Sequence, residues 1–567
     1  MRFIAVFLLV LSVLEADSSL YKSHGAHVLA DATTFSVFAP HAKKVVLVLN
    51  SSKKYPLLPS TTGTWHVEVK KVKPGASYTY LIYDQEGTAR EKLDPFACKI
   101  AERKKGKFHA VVSNVFNYCW TDSEWMEKRH NDGPISIYEM HVAAWKKDLC
   151  YKKLAKELAL YCKMMGFTHV ELFGLLDHLS RDSWGYRPTS YFAANHRIEG
   201  NFQDFVNHMH SEGIGVIVDW IPGHFSSNAL GLQDFDGTPL YEYSDHRRAW
   251  GSTLFDYTKQ STQDFLMSSI YFWLQEMHVD GIRLDSLDTI VERSDTPLVV
   301  KQFMQKMNAS VHKDFPGVLM IAESWKGVEI TSKEGFGFDY KWNGATNKIV
   351  KFLQGEGSFS DVIKPLSQDQ QGRLIWHTDH DKSRKETGSL YQQMKGTSLE
   401  KLSRMRLMMS YFMTLVGKKM LFMGDELAQV EDWDTRLSTK SSVQWQMQEE
   451  PGHLGVQQMI KRLNHLYKTE IDLYSDSSIK LLHVDKENQV VLYRRGSLFF
   501  VCNFGSKTFQ EYKLAFSTKA KSLDELFSSD DARFGGSGMI NPEVKLDTKG
   551  RGAISLPALS CSIFIRR

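Results

Sequence analysis

Three carboxylates stand where short apolar runs end: Asp285 in GIRLDS (281 to 286), Glu323 in MIAES (320 to 324) and Asp381 in TDHD (378 to 381). A short aliphatic run reads as a buried strand, and a polar residue at its carboxyl end lies at the mouth of a parallel sheet, where barrel enzymes place their chemistry. Arg283 precedes Asp285 by two residues, so both point to the same side of a strand and the guanidinium favours an ionised Asp285. Glu323 follows VLMIA, where desolvation would raise a carboxyl toward the range of a useful acid. Asp219 ends another such run, His224 follows it, and His380 adjoins Asp381. Cleaving a glycosidic bond with retention needs a nucleophilic carboxylate and a second carboxyl that is first acid and then base, about 5 to 5.5 Å apart. A third carboxylate can hold sugar hydroxyls and steady a cationic transition state, while histidines bond further hydroxyls.

The elements that must position these residues are strands alternating with helices. Eight candidate strands fall at 135–142, 169–173, 215–220, 281–285, 318–323, 337–342, 373–377 and 418–424, with helical stretches such as LAKELALYCKMM and QDFVNHMHSE between them. Eight βα units predict a (β/α)8 TIM barrel, which would bring Asp219, His224, Arg283, Asp285, Glu323, His380 and Asp381 to one rim. An open doubly wound sheet is disfavoured because no GxGxxG or GxxxxGK loop follows any of these strands. From about 25 to 115, and again beyond about 470, short alternating strands separated by Gly, Pro and Ser turns predict β domains. The expected division is a leader at 1–18, a β-sandwich at 19–118, the barrel at 119–465 and a C-terminal β-sandwich at 466–567.

Composition sets the class. The 567 residues are 42% hydrophobic and 24% charged, with 70 basic against 66 acidic side chains, so the chain is globular and nearly balanced in charge. Its basic residues form no coherent stripe, which argues against a nucleic-acid partner. Met1-Arg2, the apolar run Phe3 to Leu14 and the small residues Ala16 and Ser18 read as a secretory signal, with a short buried helix or an uncleaved anchor as the competing reading. No other stretch resembles a membrane segment. Six cysteines lack metal-ligand spacing, and Cys502 and Cys561 lie in strand-like apolar runs where a thiol packs as a small hydrophobe. Asn50 and Asn308 begin glycosylation sequons that matter only on a eukaryotic secretory route.

DWIPGHF (219 to 225), GIRLDS, IAES and HD, in this order, resemble the four signature regions of the α-amylase clan. The resemblance implies Asp285 as nucleophile, Glu323 as general acid/base and Asp381 as transition-state stabiliser, with Asp219, His224, Arg283 and His380 binding or orienting. SIYEMHVAAW, SWGYRPTSYFA, FDGTPLYEY, GFDYKWN, KKMLFMGDE and FGGSG are similar, nearly end to end, to motifs of the 1,4-α-glucan branching enzymes, and KLDPFA with the strands before it resembles that family's carbohydrate-binding sandwich. Tyr186 matches the family's sugar-platform tyrosine. Implied with this are a monomer acting on α-glucan polysaccharide, no cofactor, no metal, and no membrane once the leader is removed.

The departures lie around the acids. Ser286 replaces the usual alanine, Ser324-Trp325 follows Glu323 where a second acid is usual, and KSRKETGSL rewrites the segment after Asp381. Lys382 is expected to place a positive charge near Asp381, and the loop between the fourth and fifth strands, at about 293–312, reads as shorter than is usual in the family. Asp182, Asp288 and Trp325 carry ordinary structural readings. The expected activity is branching of α-glucan by retaining double displacement; the alternatives are an amylase-like hydrolase, in which water replaces the acceptor, and a glucan-binding protein with weakened turnover.

Overall fold

The computed structural model describes residues 16–567 except 105, 148, 368–372, 385 and 434–442. Most of the expected leader therefore lies outside the described residues. Eight parallel strands close into a barrel, here β1 (Ser136–His141), β2 (His169–Phe173), β3 (Gly215–Trp220), β4 (Gly281–Leu284), β5 (Leu319–Ala322), β6 (Tyr340–Trp342), β7 (Leu374–His377) and β8 (Lys418–Phe422). β8 pairs with β1 to complete the closure. The expected strands match these in order and number. β6 begins three residues later than expected, because Gly337 takes a positive φ of 78° and the chain is still turning there.

Side chains two positions apart on a strand share a face, and this period stacks the barrel interior in layers. Ile137, Ile217, Ile321 and Ile375 pack in one buried cluster. Two residues further along the same strands stand Glu139, Asp219, Glu323 and His377, so an aliphatic floor carries a polar ceiling at the C-terminal mouth. Gly281 belongs to the floor for a steric reason: a Cβ there would lie 2.9 Å from the Leu319 carbonyl oxygen and 3.1 Å from Ile217 Cγ1.

The segment between β4 and β5 is built of two helices, Leu287–Arg293 and Pro297–Asp314, the second begun by a proline whose fixed φ suits the first helical turn. After β3 the chain inserts a small antiparallel sheet, His224–Ser226 with Ser252–Leu254 and Arg248–Ala249, which brings His224 and Trp250 to the mouth.

Residues 25–111 form two antiparallel sheets, and residues 479–566 form a six-stranded and a two-stranded sheet. The N-terminal sheets are fastened to the loop after β3. The buried Lys92 ammonium donates to the carbonyl oxygens of Ala229 (2.8 Å), Gly231 (3.2 Å) and Gln233 (2.6 Å), and the His41 N–H donates to Asp236 (2.9 Å). Cys502 and Cys561 are buried register partners on neighbouring strands, and all six cysteines are free thiols. No helix among the described residues is long and apolar enough to cross a membrane.

Candidate active site

Arg283 organises the mouth of the barrel. It lies in register with Asp219 on β3, and its buried guanidinium reaches three acids: Nη1 to Asp219 (2.5 Å) and Asp285 (3.1 Å), Nη2 to Glu323 (2.9 Å). The Trp342 ring lies under the guanidinium, 4.4 Å from its carbon, closing that face with a cation–π contact. A fork of fixed geometry thus holds Asp285 and Glu323 on adjacent nitrogens of one guanidinium.

The turn after β4 completes the pair. Ser286 adopts a left-handed conformation (φ 51°) at the start of the following helix, and this turns its N–H onto Glu323 Oε2 at 2.8 Å. Desolvation, expected at Glu323, bears on Asp285: burial pushes its carboxyl well above the ordinary aspartate range, the nearby Glu323 carboxylate adds to the rise, and Arg283 opposes both.

On the opposite wall a hydrogen-bonded chain runs from β1. Glu139, which the sequence reading passed over, accepts from His380 Nδ1 (2.7 Å) and from the His380 backbone N–H (3.1 Å). His380 Nε2 lies 3.0 Å from the Tyr186 hydroxyl, which donates to Asp219 Oδ2 (2.7 Å). Burial disfavours the imidazolium, yet Glu139, Asp381 and Asp379 outweigh it and raise His380 to about 10. With both ring nitrogens protonated, the chain has one direction: His380 donates to Glu139 and to Tyr186, and Tyr186 donates to Asp219. Phe173 and Tyr186 lie nearly parallel to the His380 ring at 4.7 and 5.2 Å. The signal that could have found Glu139 is its place two residues after Ile137, on the face that fills the barrel.

Substituting Glu139 with Gln should therefore move a pH profile. The imidazolium is present below its raised pKa and lost as pH climbs through it, so NMR of the His380 ring should find it charged until about pH 10 in the wild type. In E139Q the ring should titrate toward or below the ordinary imidazole value of about 6.5. A Glu139 that only packs would leave the ring's titration in place.

His224 behaves differently: burial, with Arg293 and Arg187 nearby, lowers it to about 4, which favours a neutral imidazole, and its buried Nδ1 has no partner among the described residues. Asp381 lines the same cleft, of about 310 Å³, together with Tyr186, His224, Arg283, Asp285, Glu323 and His380. Its side chain is half-exposed on a 3-10 turn, with Arg384 Nη1 3.2 Å away. Lys382 itself pairs with Asp379. Asp379 begins the turn, accepting the Asp381 N–H (3.0 Å), and Lys382, three residues on, turns back to bond the buried Asp379 carboxylate, which also meets His377 Nδ1 at 2.8 Å. Among the described residues, the cation paired with Asp381 is Arg384. Among the described residues, Asp234, Glu242 and His246 could face a common cation, but they bond one another: His246 Nε2 lies 2.8 Å from Asp234, and Glu242 accepts the Asp234 N–H at 2.7 Å.

The architecture agrees with what the chain resembles. Residues 23–97 match carbohydrate-binding module 48 (isoamylase N-terminal domain) and residues 482–567 the α-amylase C-terminal all-β domain. A 1,4-alpha-glucan branching enzyme (GlgB) of Oceanobacillus iheyensis is 34% identical across 94% of this chain and 92% of the relative. The chain belongs to the 1,4-alpha-glucan branching enzyme family. Another member, from Chlamydia abortus, is 34% identical across 94% of this chain and 81% of its own. In fold alone, this branching-enzyme chain superposes on the catalytic module of the pneumococcal glycogen-degrading factor SpuA (TM-score 0.75, 16% identity, 95% of this chain and 96% of that one) and on pullulanase from Bacillus acidopullulyticus (TM-score 0.74, 18% identity, 96% and 75%).

Proposed function

We propose that this chain cleaves α-1,4 links of a glucan and transfers the freed chain to a glucan 6-hydroxyl, with Asp285 as nucleophile and Glu323 as acid/base. The observation that carries the reading is the Arg283 fork, which holds the two carboxyl groups together at the mouth. In the first step an Asp285 oxygen bonds to the anomeric carbon while Glu323 gives its proton to the departing glycosidic oxygen. A glycosyl ester on Asp285 results. In the second, Glu323 takes the proton of an acceptor 6-hydroxyl, whose oxygen displaces Asp285 from the anomeric carbon. Both steps pass through a cationic sugar, which Asp381 steadies. Asp219, His224 and the His380–Tyr186 pair hold the sugar's hydroxyls and its flat face. Glycogen, amylose or starch supplies both donor and acceptor to a monomer, and the apolar leader at 1–18 exports the chain.

Incubation with amylose tests this. Branching lowers iodine staining with few new reducing ends and yields links that a debranching enzyme releases. Reducing ends that rise in step with the loss of stain would replace it with hydrolysis. Retained glucan binding with neither change would make the chain a binding protein.

A further inference from the structure

Two tryptophans stand open to solvent, Trp250, which lines the cleft, and Trp325, just beyond the end of β5. Trp250 already has the Arg293 guanidinium 4.2 Å over its ring. Trp325 is 45% exposed, although it lies only two residues beyond Glu323. Its neighbours all come from the β6 and β7 side: Trp342 at 6.1 Å and 56°, His377 at 5.9 Å and 34°, and Gly344, where an added Cβ would sit 3.6 Å from Trp325 Cε3.

The backbone carrying this indole is held from several directions. Asp288 accepts the Trp325 N–H (2.8 Å) with one oxygen and the Ser324 hydroxyl (2.6 Å) with the other. Lys341 donates to the Lys326 carbonyl, and the Lys326 ammonium pairs with Glu292 at 2.8 Å. An exposed indole on such a fastened segment presents a flat apolar surface without the ordering cost that a loose loop would add on binding. Trp342 also links it to the chemistry, since that ring supports the Trp325 side chain and lies under the Arg283 guanidinium.

The side of the cleft follows from the proton. Glu323 must reach the oxygen between the sugar captured on Asp285 and the departing chain, so the first ring of that chain lies on the Glu323 side. By microscopic reversibility the acceptor enters where the leaving chain departed. Resting on the transfer reaction proposed above, we infer that Trp325 is the platform on which a glucosyl ring of the acceptor α-glucan stacks, making it a determinant of transfer over capture by water.

The test feeds the enzyme an α-maltooligosyl fluoride, whose leaving group needs no sugar contact on the acceptor side, together with increasing maltoheptaose. The ratio of transfer product to water-capture product reports acceptor binding independently of how fast the glycosyl-enzyme forms. In Trp325→Ala the maltoheptaose concentration giving equal transfer and hydrolysis should rise about tenfold, which corresponds to about 1.4 kcal/mol. Trp325→Phe should bring it back to within about threefold, since a flat ring suffices for stacking. An unmoved partition ratio in W325A, or equal losses in W325A and W325F, overturns the inference while leaving the transfer reaction standing. Wild-type enzyme that releases fluoride and yields only hydrolysis overturns both.

Discussion

Asp285→Asn should lower kcat on amylose by roughly 10⁴-fold or more, the scale on which removing a covalent nucleophile acts, while the protein melts at the same temperature or higher. The two halves have one cause. Burial and the Glu323 carboxylate both raise Asp285, so its ionised form is disfavoured in the folded protein relative to the unfolded chain. A carboxyl raised in this way weakens folding once pH exceeds its unfolded value of about 3.9, because the unfolded chain then ionises more readily. Asparagine has nearly the same shape and no charge to desolvate, and Arg283 keeps Asp219 and Glu323 as partners. Urea melts at pH 7 should show D285N at least as stable as wild type, and melts at pH 3, where both carboxyl forms are protonated, should bring the two together. A D285N protein with kcat within tenfold of wild type would remove Asp285 from the role of nucleophile. One that is strongly destabilised at pH 7 would show that Asp285 is held as a structural ion pair.

That prediction starts from residues legible in the sequence, and the reason is physical. A strand inside a barrel is apolar on both faces, so a polar residue ending it has no ordinary place, and GIRLD, LMIAE and VIVDW announce Arg283, Asp285, Glu323 and Asp219 by that violation. Glu139 has the same standing in ISIYEMH, yet it lies inside the run and reads as one polar residue of a strand. Only closure of the barrel shows that it faces His380 across β1. Trp342 likewise reads as core until Arg283 is seen on its face. The rewritten segment after Asp381 was visible, but not its outcome. Whether Lys382 faces Asp381 or turns beneath it is decided by the 3-10 turn that Asp379 begins, and turn geometry of this kind is set by the surrounding packing.

Arg283→Lys should be the most damaging conservative change in the protein, because its geometry serves three acids at once. Lysine keeps the charge but concentrates it at one point, whereas Asp219 and Asp285 share Nη1 and Glu323 occupies Nη2. An ammonium placed to satisfy Asp219 leaves Glu323 without its cation, and it forfeits the planar stacking on Trp342. Leaving a buried carboxylate without its counter-charge costs about 3 to 5 kcal/mol, less whatever is recovered by taking up a proton. R283K should therefore lose on the order of 3 kcal/mol in urea melts at pH 7, and should recover part of it at pH 5 as the uncompensated acids protonate. Activity should fall by roughly 10²-fold or more, since the fork holds both Asp285 and Glu323, and misplacement of a reacting group by about 1 Å costs that much. The loss should appear mainly in kcat, because the substitution leaves Trp325, Tyr186 and His224 in place. An R283K enzyme that keeps its stability and its kcat would mean that charge alone suffices at this position, and the two carboxyl groups would then owe their alignment to the β4 and β5 backbones instead.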